Sequence, residues 1–252
     1  MKSNEILNVE NLTANFQNGN GGLYVLDKIS FAVMESEFVC IIGPSGSGKS
    51  TLLRILAGLL PPSGGRVCLD GSVLDGPRPG VGFVFQKANL MPWRTVAENI
   101  MLPLEMGGLP AEASHQKTDE LVELVGLQGF ENTLPRDLSG GMAQRVAIAR
   151  ALIHDPDILL LDEPFGALDA ITRERMGAEL LRIWNVHNKT VLMVTHDISE
   201  ALFLADRVLV LSDRPAAIKL ELAVSLPRPR LTEMRYTPEF GALAQQLRSA
   251  IE

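Results

Sequence analysis

Gly43-Pro44-Ser45-Gly46-Ser47-Gly48-Lys49-Ser50-Thr51 is a glycine-rich run between two apolar segments. It satisfies the phosphate-binding pattern G-x-x-x-x-G-K-[ST], which is specific when a strand precedes it and a helix follows it. The apolar run at residues 38–42 predicts that strand, and the apolar spacing at residues 52–56 predicts the helix. We therefore predict that a nucleotide phosphate binds to residues 43–51.

The residue types in this stretch suit a phosphate chain with its metal ion. The glycines allow backbone N–H groups to converge on phosphate oxygens, and the start of the helix adds its positive dipole. Lys49 supplies a charge for the β- and γ-phosphates, worth about 4 kcal/mol at about 4 Å and an effective dielectric constant of about 20. Ser50 offers a hydroxyl oxygen to Mg²⁺. A kinase, a GTPase or a motor could use the same loop.

Composition limits the classes of protein that this chain can be. Its 252 residues carry a formal net charge of −7 and are 46% apolar, which is ordinary for a globular protein. No apolar run approaches the roughly 18 residues of a membrane-spanning helix, and the N-terminus has no signal-peptide core, so we expect a soluble chain. The acidic balance argues against broad contact with nucleic acid, which needs clustered lysine and arginine.

Two local features receive ordinary structural interpretations. The basic segment from Arg214 to Arg235 is interpreted as a solvated tail. Cys40 and Cys68 lie in apolar runs without metal-ligand spacing, which indicates buried thiols in a reducing cytosol.

Hydrophobic patterns predict strands that alternate with helices. The strand patterns cover residues 6–12, 26–34, 38–42, 66–69, 81–85, 158–161, 190–194 and 208–211. The helical patterns cover residues 52–56, 96–106, 115–125, 139–153, 170–187, 198–204 and 240–251. Residues 15–22 are predicted as a polar turn. Three successive helices interrupt the alternation, and strands separated by helices elsewhere imply a mainly parallel sheet.

Two adjacent acids follow the buried strand pattern at residues 158–161. Open α/β sheets bind their ligands at the carboxyl ends of the strands. Asp162 is suited to hold Mg²⁺ directly or through water. Glu163 is suited to accept a proton from the water that attacks the γ-phosphate, which contributes about 10²- to 10⁴-fold to the rate. A solvated strand end is the alternative.

A second glycine-bearing helix start lies at Ser139-Gly140-Gly141-Met142. Ser139 is predicted to cap the helix, and the two glycines expose backbone N–H groups. A helix N-terminus carries about half a positive charge and attracts anions. Alone, this motif is weak, because Ser-Gly-Gly also forms ordinary helix caps.

Together these motifs resemble the ATP-binding-cassette ATPase family over essentially the whole chain. In that family residues 138–142, LSGGM, are the signature motif, here with methionine where glutamine is commoner. Gln86 matches the Q-loop glutamine, residues 165–169 match the D-loop, and His196 matches the switch histidine. The remaining histidines match no motif and are interpreted as surface or core residues: His115, His154 and His187.

The resemblance implies the fold class and the organisation of the chain. The implied class is α/β, with a P-loop NTPase, RecA-like core, a mainly parallel sheet, an antiparallel β subdomain and an inserted helical subdomain. One domain would span residues 1–252. Its nucleotide-binding core would cover residues 1–86 and 157–216, its helical signature subdomain residues 87–156, and its C-terminal tail residues 217–252.

The resemblance also assigns roles to individual residues and implies ATP and Mg²⁺ as cofactors. Glu163 and His196 are expected to be catalytic. The expected ATP-binding residues are Phe16, Gly43, Pro44, Ser45, Gly46, Ser47, Gly48, Lys49, Ser50, Thr51 and Gln86. The expected Mg²⁺ ligands are Ser50, Gln86 and Asp162. Phe16 is expected to stack on adenine, with Tyr24 as the alternative.

The family's geometry implies a head-to-tail homodimer with ATP between the subunits. Ser139, Gly140, Gly141 and Met142 of one subunit would then close the ATP site of the other. Several strings are similar to the importer ATPases of the nitrate, sulfonate, taurine and bicarbonate group, including residues 86–93, 155–158, 196–201 and 226–230.

This second resemblance implies a cytoplasmic subunit, peripheral on the inner face of the membrane, that hydrolyses ATP. It would energise import of a small solute through a membrane permease that an extracytoplasmic solute-binding protein supplies. Residues 91–94 are expected to receive the permease, because an apolar pair in a polar loop suits a docking groove. The alternative is that Trp93 packs within its own helical block. Competing functions are an exporter subunit and a soluble cassette ATPase acting on DNA or ribosomes.

Overall fold

A computed structural model describes residues 5–18, 21–187 and 189–252. The strands are β1 Glu5–Asn18, β2 Gly21–Met34, β3 Phe38–Ile42, β4 Gly64–Leu69, β5 Ser72–Val73, β6 Val81–Val84, β7 Ile158–Asp162, β8 Thr190–Val194, β9 Arg207–Leu211 and β10 Ile218–Ala223. The helices are α1 Lys49–Leu56, α2 Val96–Met106, α3 Ala111–Leu124, α4 Gly140–Leu152, α5 Ala170–His187, α6 Ile198–Leu204 and α7 Pro238–Ile251. Short 3-10 helices occupy Pro135–Asp137 and Thr232–Tyr236.

The chain divides into two compact units. The first contains the chain up to Arg78 and from Lys189 onwards, and the second contains the chain between those residues. Among the described residues, no helix combines the length and the apolar character that crossing a membrane requires.

An antiparallel sheet in the first unit has the strand order β2-β1-β4-β5. Its core face is apolar because alternate side chains of a strand point to one side. Leu7 and Val9 of β1 pair with Val33 and Phe31 of β2, and all four side chains are buried. The predicted turn at residues 15–22 is wrong over most of its length. β1 continues to Asn18 and β2 begins at Gly21, because the two strands pair along this whole polar stretch, while residues 19–20 lie outside the described residues.

The second sheet of the first unit has the order β10-β9-β3-β8. The strands β9, β3 and β8 are parallel, and β10 adds an antiparallel edge. Every residue of β3 and β8 is buried, as expected for parallel strands that are covered on both faces. The carboxyl ends of β9, β3 and β8 therefore meet at one edge.

The basic segment is only partly solvated, contrary to the sequence interpretation, because three of its arginines contact other parts of the first unit. Arg228 forms an ion pair with Asp206 at 2.8 Å, and Arg230 is buried and donates to the carbonyl of Ala205 at 2.9 Å. Arg235 lies over the ring of Phe203 at 4.2 Å. The helix α7 that follows these arginines also packs against the same unit, through an apolar stripe. The stripe consists of Phe240, Leu243 and Leu247.

In the second unit, α2, α3 and α4 form the predicted helical block, followed by α5. The strands β6 and β7 pair in parallel, with Val84 opposite Leu161. The helix α2 begins with a capping box, in which Thr95 accepts from the backbone of Glu98 and Glu98 accepts from the backbone of Thr95. The predicted boundaries at residues 87, 157 and 217 stay a prediction.

Candidate functional site

The phosphate-binding stretch has a backbone that only glycine adopts readily. Gly46 has φ 79° and Gly48 has φ 104°, both in the left-handed region. A β-carbon on Gly48 would lie 2.5 Å from Cγ1 of Val25, which is far inside van der Waals contact. The loop therefore packs directly against β2. The left-handed backbone at its glycines sets the direction of its N–H groups.

The polar atoms inside this loop fit a phosphate group. Lys49 is buried, and its Nζ donates to the carbonyls of Gly43 at 3.0 Å and Pro44 at 2.9 Å. Oγ of Ser47 is also buried and has no hydrogen-bond partner among the described residues. A buried hydroxyl without a partner is costly, so a ligand oxygen at this position would satisfy it. An ammonium group and an unsatisfied hydroxyl together suit an anion.

His196 lies at the same sheet edge as this loop. Ile41 of β3 pairs with Val194 of β8, and Thr195 donates its N–H to the carbonyl of Ile41 at 3.1 Å. His196 follows immediately and is exposed. Asp197 then caps α6, accepting from the N–H of Glu200 at 3.1 Å. The backbone before and after the predicted switch histidine is thus held by hydrogen bonds of Thr195 and Asp197.

Both candidates for adenine stacking lie on the hairpin of β1 and β2. Phe16 is half-buried and pairs with Leu23, whereas Tyr24 is 56% exposed. Tyr24 precedes Val25, the residue whose side chain lies against Gly48. Phe16 and Tyr24 both stay predictions.

The second unit brings Gln86 and Glu163 together. Gln86 follows β6, Glu163 follows β7, and Nε2 of Gln86 donates to Oε2 of Glu163 at 3.1 Å. Asp162, the last residue of β7, is 3% exposed. Glu163 has φ 44°, a left-handed backbone at a residue with a side chain, and its carbonyl accepts from the N–H of Gly166 at 3.1 Å. The two acids therefore have different surroundings: Asp162 is buried at the end of β7, whereas Glu163 lies in a tight turn.

The signature motif begins α4 as predicted, which confirms Ser139 as the N-cap. Its Oγ accepts from the N–H of Met142 at 3.2 Å. Ser139 and Gly140 are exposed. A β-carbon on Gly141 would meet only Cγ2 of Thr172 at 3.5 Å and Sδ of Met176 at 3.9 Å, which are ordinary contacts. The fold of this chain alone does not explain why glycine stands there.

The D-loop ends at the start of α5. Asp169 caps that helix by accepting from the N–H of Thr172 at 3.0 Å. Hydrogen bonds from the side chain and then the backbone of Thr172 lower the pKa of Asp169 below its ordinary value. The carboxylate therefore stays ionised at the helix N-terminus, where a negative charge is favourable.

Sequence reasoning missed two residues that fix the segment after Gln86. Asn99 is fully buried; its Oδ1 accepts from the N–H of Met91 at 2.7 Å, and its Nδ2 donates to the carbonyl of Arg94 at 2.9 Å. Arg150 donates to the carbonyls of Ala88 at 2.7 Å and Asn89 at 3.0 Å. The sequence does contain a signal for Asn99, because an asparagine among the apolar residues of α2 is expected to be buried and to need hydrogen-bond partners.

Trp93 is 72% exposed, so the alternative in which it packs within its own helical block is wrong. The backbone on either side of Trp93 is held in place, because the side chain of Asn99 forms hydrogen bonds with the backbone of Met91 and of Arg94. A large apolar side chain therefore stands on a rigid loop and faces solvent.

A glycine-rich loop between a buried parallel strand and a helix defines a P-loop nucleotide-binding protein. The further motifs narrow that class. Over residues 26–166, more than half of its length, the chain matches the family described as ABC transporter, and it belongs to that family. The chain is therefore an ABC-type ATPase.

Curated relatives are similar to the chain over most of its length. The nitrate import ATP-binding protein NrtD of Synechocystis sp. is 42% identical over 251 residues, covering 97% of this chain and 94% of that protein. The aliphatic sulfonates import ATP-binding protein SsuB of Bacillus licheniformis is 46% identical over 237 residues, covering 94% and 91%. The taurine import ATP-binding protein TauB of Rhizobium johnstonii is 44% identical over 235 residues, covering 91% and 89%.

The fold of this chain is similar to that of a solved structure. That structure is a dimeric post-hydrolysis state of an ATP-binding cassette bound to ADP and Pi, with a TM-score of 0.77 and 35% identity. The match covers 88% of this chain and 100% of that chain. These similarities confirm the predicted family and the predicted α/β fold class.

Proposed function

We propose that this chain is the ATP-hydrolysing subunit of an importer that moves a small solute, similar to sulfonate, taurine, nitrate or bicarbonate, through a membrane permease. The observation that carries the proposal is the glycine-rich loop at residues 43–51, in which Lys49 is buried and the buried hydroxyl of Ser47 has no hydrogen-bond partner among the described residues. The import role rests on relatives named for nitrate, sulfonates and taurine. The solute itself does not contact this chain.

Each motif has a chemical role in the proposal. Residues 43–51 bind the phosphate chain, with the charge of Lys49 beside it. Glu163 accepts a proton from the attacking water, and His196 contacts the γ-phosphate from the end of β8. The proposed Mg²⁺ ligands are oxygen atoms of Ser50, Gln86 and Asp162, a hydroxyl, an amide and a carboxylate that suit this hard cation. When bound, Mg²⁺ neutralises charge on the phosphates.

The proposed active form is a head-to-tail homodimer. Ser139 to Met142 would close the ATP site of the partner subunit, and two observations support this. Ser139 and Gly140 are exposed at a capped helix N-terminus, and the space around Gly141 leaves its glycine unexplained within one chain. ATP that binds the closed dimer more tightly than the open one would drive closure, and hydrolysis would reverse it.

The proposed membrane partner docks on residues 91–94. Exposed apolar side chains on rigid loops favour protein contacts, and Trp93 fits this description. The chain would then lie on the cytoplasmic face of the membrane, bound to the permease. An extracytoplasmic solute-binding protein would act through the permease without touching this chain.

The test is ATP hydrolysis by the chain reconstituted with its permease and binding protein in lipid vesicles. We expect one of sulfonate, taurine, nitrate or bicarbonate to stimulate phosphate release. Trp93→Ala should uncouple this stimulation and leave the hydrolysis of the isolated chain unchanged, while Phe130→Ala, at another exposed aromatic residue of the unit, should change neither. Recovery of the tagged chain with ribosomes or DNA instead of a permease would overturn the proposal.

A further inference from the structure

The turn between β9 and β10 brings an arginine to the phosphate-binding loop. A β-carbon built on Gly46 would lie 3.1 Å from Nη2 of Arg214 and 3.8 Å from its Cζ. Gly46 itself has the left-handed backbone of the phosphate cradle. The guanidinium group of Arg214 therefore lies beside the cradle.

The backbone that carries Arg214 is fixed by hydrogen bonds. Within the turn, Ser212 donates its N–H to the carbonyl of Ala217 at 2.9 Å. Ala216 ties the turn to β2, donating to the carbonyl of Val25 at 2.9 Å and accepting from the N–H of Asp27 at 2.9 Å. The position of the turn thus follows from β2 and β9.

The same two strands hold the phosphate-binding loop. A β-carbon on Gly43 would lie 2.9 Å from the carbonyl oxygen of Leu211, the last residue of β9. A β-carbon on Gly48 would lie 2.5 Å from Val25 of β2. The same strands β2 and β9 therefore support both the phosphate-binding loop and the backbone of Arg214, which keeps that backbone within reach of the loop.

The chemistry of Arg214 suits a phosphate group. The side chain is exposed, and among the described residues no hydrogen bond or ion pair engages its guanidinium. Asp213, the preceding residue, is also exposed. A guanidinium presents five N–H donors in a planar fork that matches phosphate oxygens. Lys49 is the one charged residue in the sequence of residues 43–51, and its Nζ is directed at the carbonyls of Gly43 and Pro44.

We infer that Arg214 is a further phosphate-contacting residue, which donates hydrogen bonds to the phosphate chain of the nucleotide bound at residues 43–51. This inference rests on the proposed nucleotide-binding role of that loop. No sequence motif indicated it, because the residue lies in a segment whose composition predicts a solvated tail.

The experiment measures the Kd of the full chain for ATP and for ADP by titration. Arg214→Gln is expected to raise the Kd for ATP about 3- to 10-fold, the effect of one charge-assisted contact at a solvent-exposed edge. Arg214→Lys should recover part of the affinity, since it keeps the charge and loses the fork. Lys219→Gln, which removes an exposed charge from the same hairpin, should leave the Kd unchanged.

The outcomes separate this inference from the proposed function. If the wild type binds ATP and Arg214→Gln binds both nucleotides with wild-type affinity, the inference is wrong, even if turnover falls. If the wild type binds no ATP, the proposed function fails first. If Arg214 contacts phosphate, the ratio of the Kd of Arg214→Gln to the Kd of the wild type should fall as the salt concentration rises to about 1 M. The screening length is then about 3 Å, so the charge of Arg214 contributes less to binding. Thermal unfolding without nucleotide should be the same for all four proteins, because both side chains are exposed.

Discussion

Gln86 donates a hydrogen bond through its side-chain amide to Oε2 of Glu163, across 3.1 Å. The pairing of β6 with β7 places the two residues at neighbouring strand ends. Glu163 also has a left-handed backbone, which costs about 1–2 kcal/mol at a residue with a β-carbon. The carboxylate proposed as the base is therefore oriented by its own turn and by Gln86. This orientation of the amide leaves Oε1 of Gln86 for the proposed Mg²⁺.

Glu163→Gln should bind ATP and dimerise but hydrolyse it at least about 100-fold more slowly, because the amide cannot take the proton of the attacking water. Phosphate release at saturating ATP measures the rate, and gel filtration with ATP measures dimerisation. Glu174→Gln, at an exposed carboxylate of α5, should keep wild-type turnover. Normal turnover by Glu163→Gln would assign the proton transfer to another group.

Lys49→Ala should lose nucleotide affinity, with the Kd for ATP raised about 10- to 100-fold by the loss of one charge-assisted interaction. The residue is buried and its Nζ bonds within the loop, so its charge lies inside the cradle. Arg54→Ala removes an exposed charge from the same helix and serves as the control. Unchanged ATP binding by Lys49→Ala in a titration would contradict the cradle described above.

The sequence predicted the site motifs and most elements because both depend on local patterns. Ser139 was identified as a helix cap from its position before a periodic run, and it caps α4. The strand before Gly43 was identified from five consecutive apolar residues, and it is β3. Such signals can be recognised from residues that are adjacent in the sequence.

Contacts between distant segments were not predictable in this way. The partner of Arg228 is Asp206, and the guanidinium of Arg214 lies beside Gly46, far away in the chain. Composition alone does not predict either contact. The hydrogen bond between Gln86 and Glu163 depends on the register of β6 and β7, which hydrophobic periodicity does not set.

Gly48→Ala should destabilise the chain by more than Gly71→Ala. Both glycines have a left-handed backbone, with φ 104° and 70°, so both substitutions pay a backbone cost of about 1–2 kcal/mol. Only Gly48 adds a clash, since its β-carbon would lie 2.5 Å from Val25, whereas nothing lies within 4 Å at Gly71. Overpacking adds about 1–3 kcal/mol. Urea unfolding of the two variants compares them directly, and equal losses would mean that the loop moves freely away from Val25.

His154 should make stability depend on pH in the acidic range. Burial lowers the pKa of His154 below its ordinary value of about 6.5, outweighing its backbone hydrogen bonds and the charge of Asp155. The unfolded chain therefore takes up a proton at a higher pH than the folded chain. The contribution is fully present above about pH 6.5 and is lost as the pH falls towards the pKa of the folded state.

His154→Gln should consequently show a smaller fall in the free energy of unfolding between about pH 7.5 and pH 5.5 than the wild type. His115→Gln, at an exposed histidine of α3, is the control and should follow the wild type. An unchanged pH dependence in His154→Gln would mean that other groups cause the acid loss.

Gly140→Ala should separate the signature motif's role in the dimer from its role in the fold, because Gly140 is exposed at the start of α4. Its β-carbon would make only ordinary contacts within the chain, and alanine favours helix over glycine by up to about 1 kcal/mol. We therefore expect unchanged or raised stability and unchanged ATP binding. Turnover should fall about tenfold or more, equivalent to about 1.4 kcal/mol, because the added methyl would keep the partner's nucleotide from close approach.

Gly241→Ala is the matched control for this variant. Gly241 also lies in the first turns of a helix, α7, and nothing lies within 4 Å of a β-carbon built on it. It should gain similar stability and keep full turnover, as measured by urea unfolding and phosphate release. If Gly140→Ala also hydrolyses ATP at the wild-type rate, the backbone at Gly140 does not approach the partner's nucleotide, and closure of the site must rest on Ser139 and Gly141.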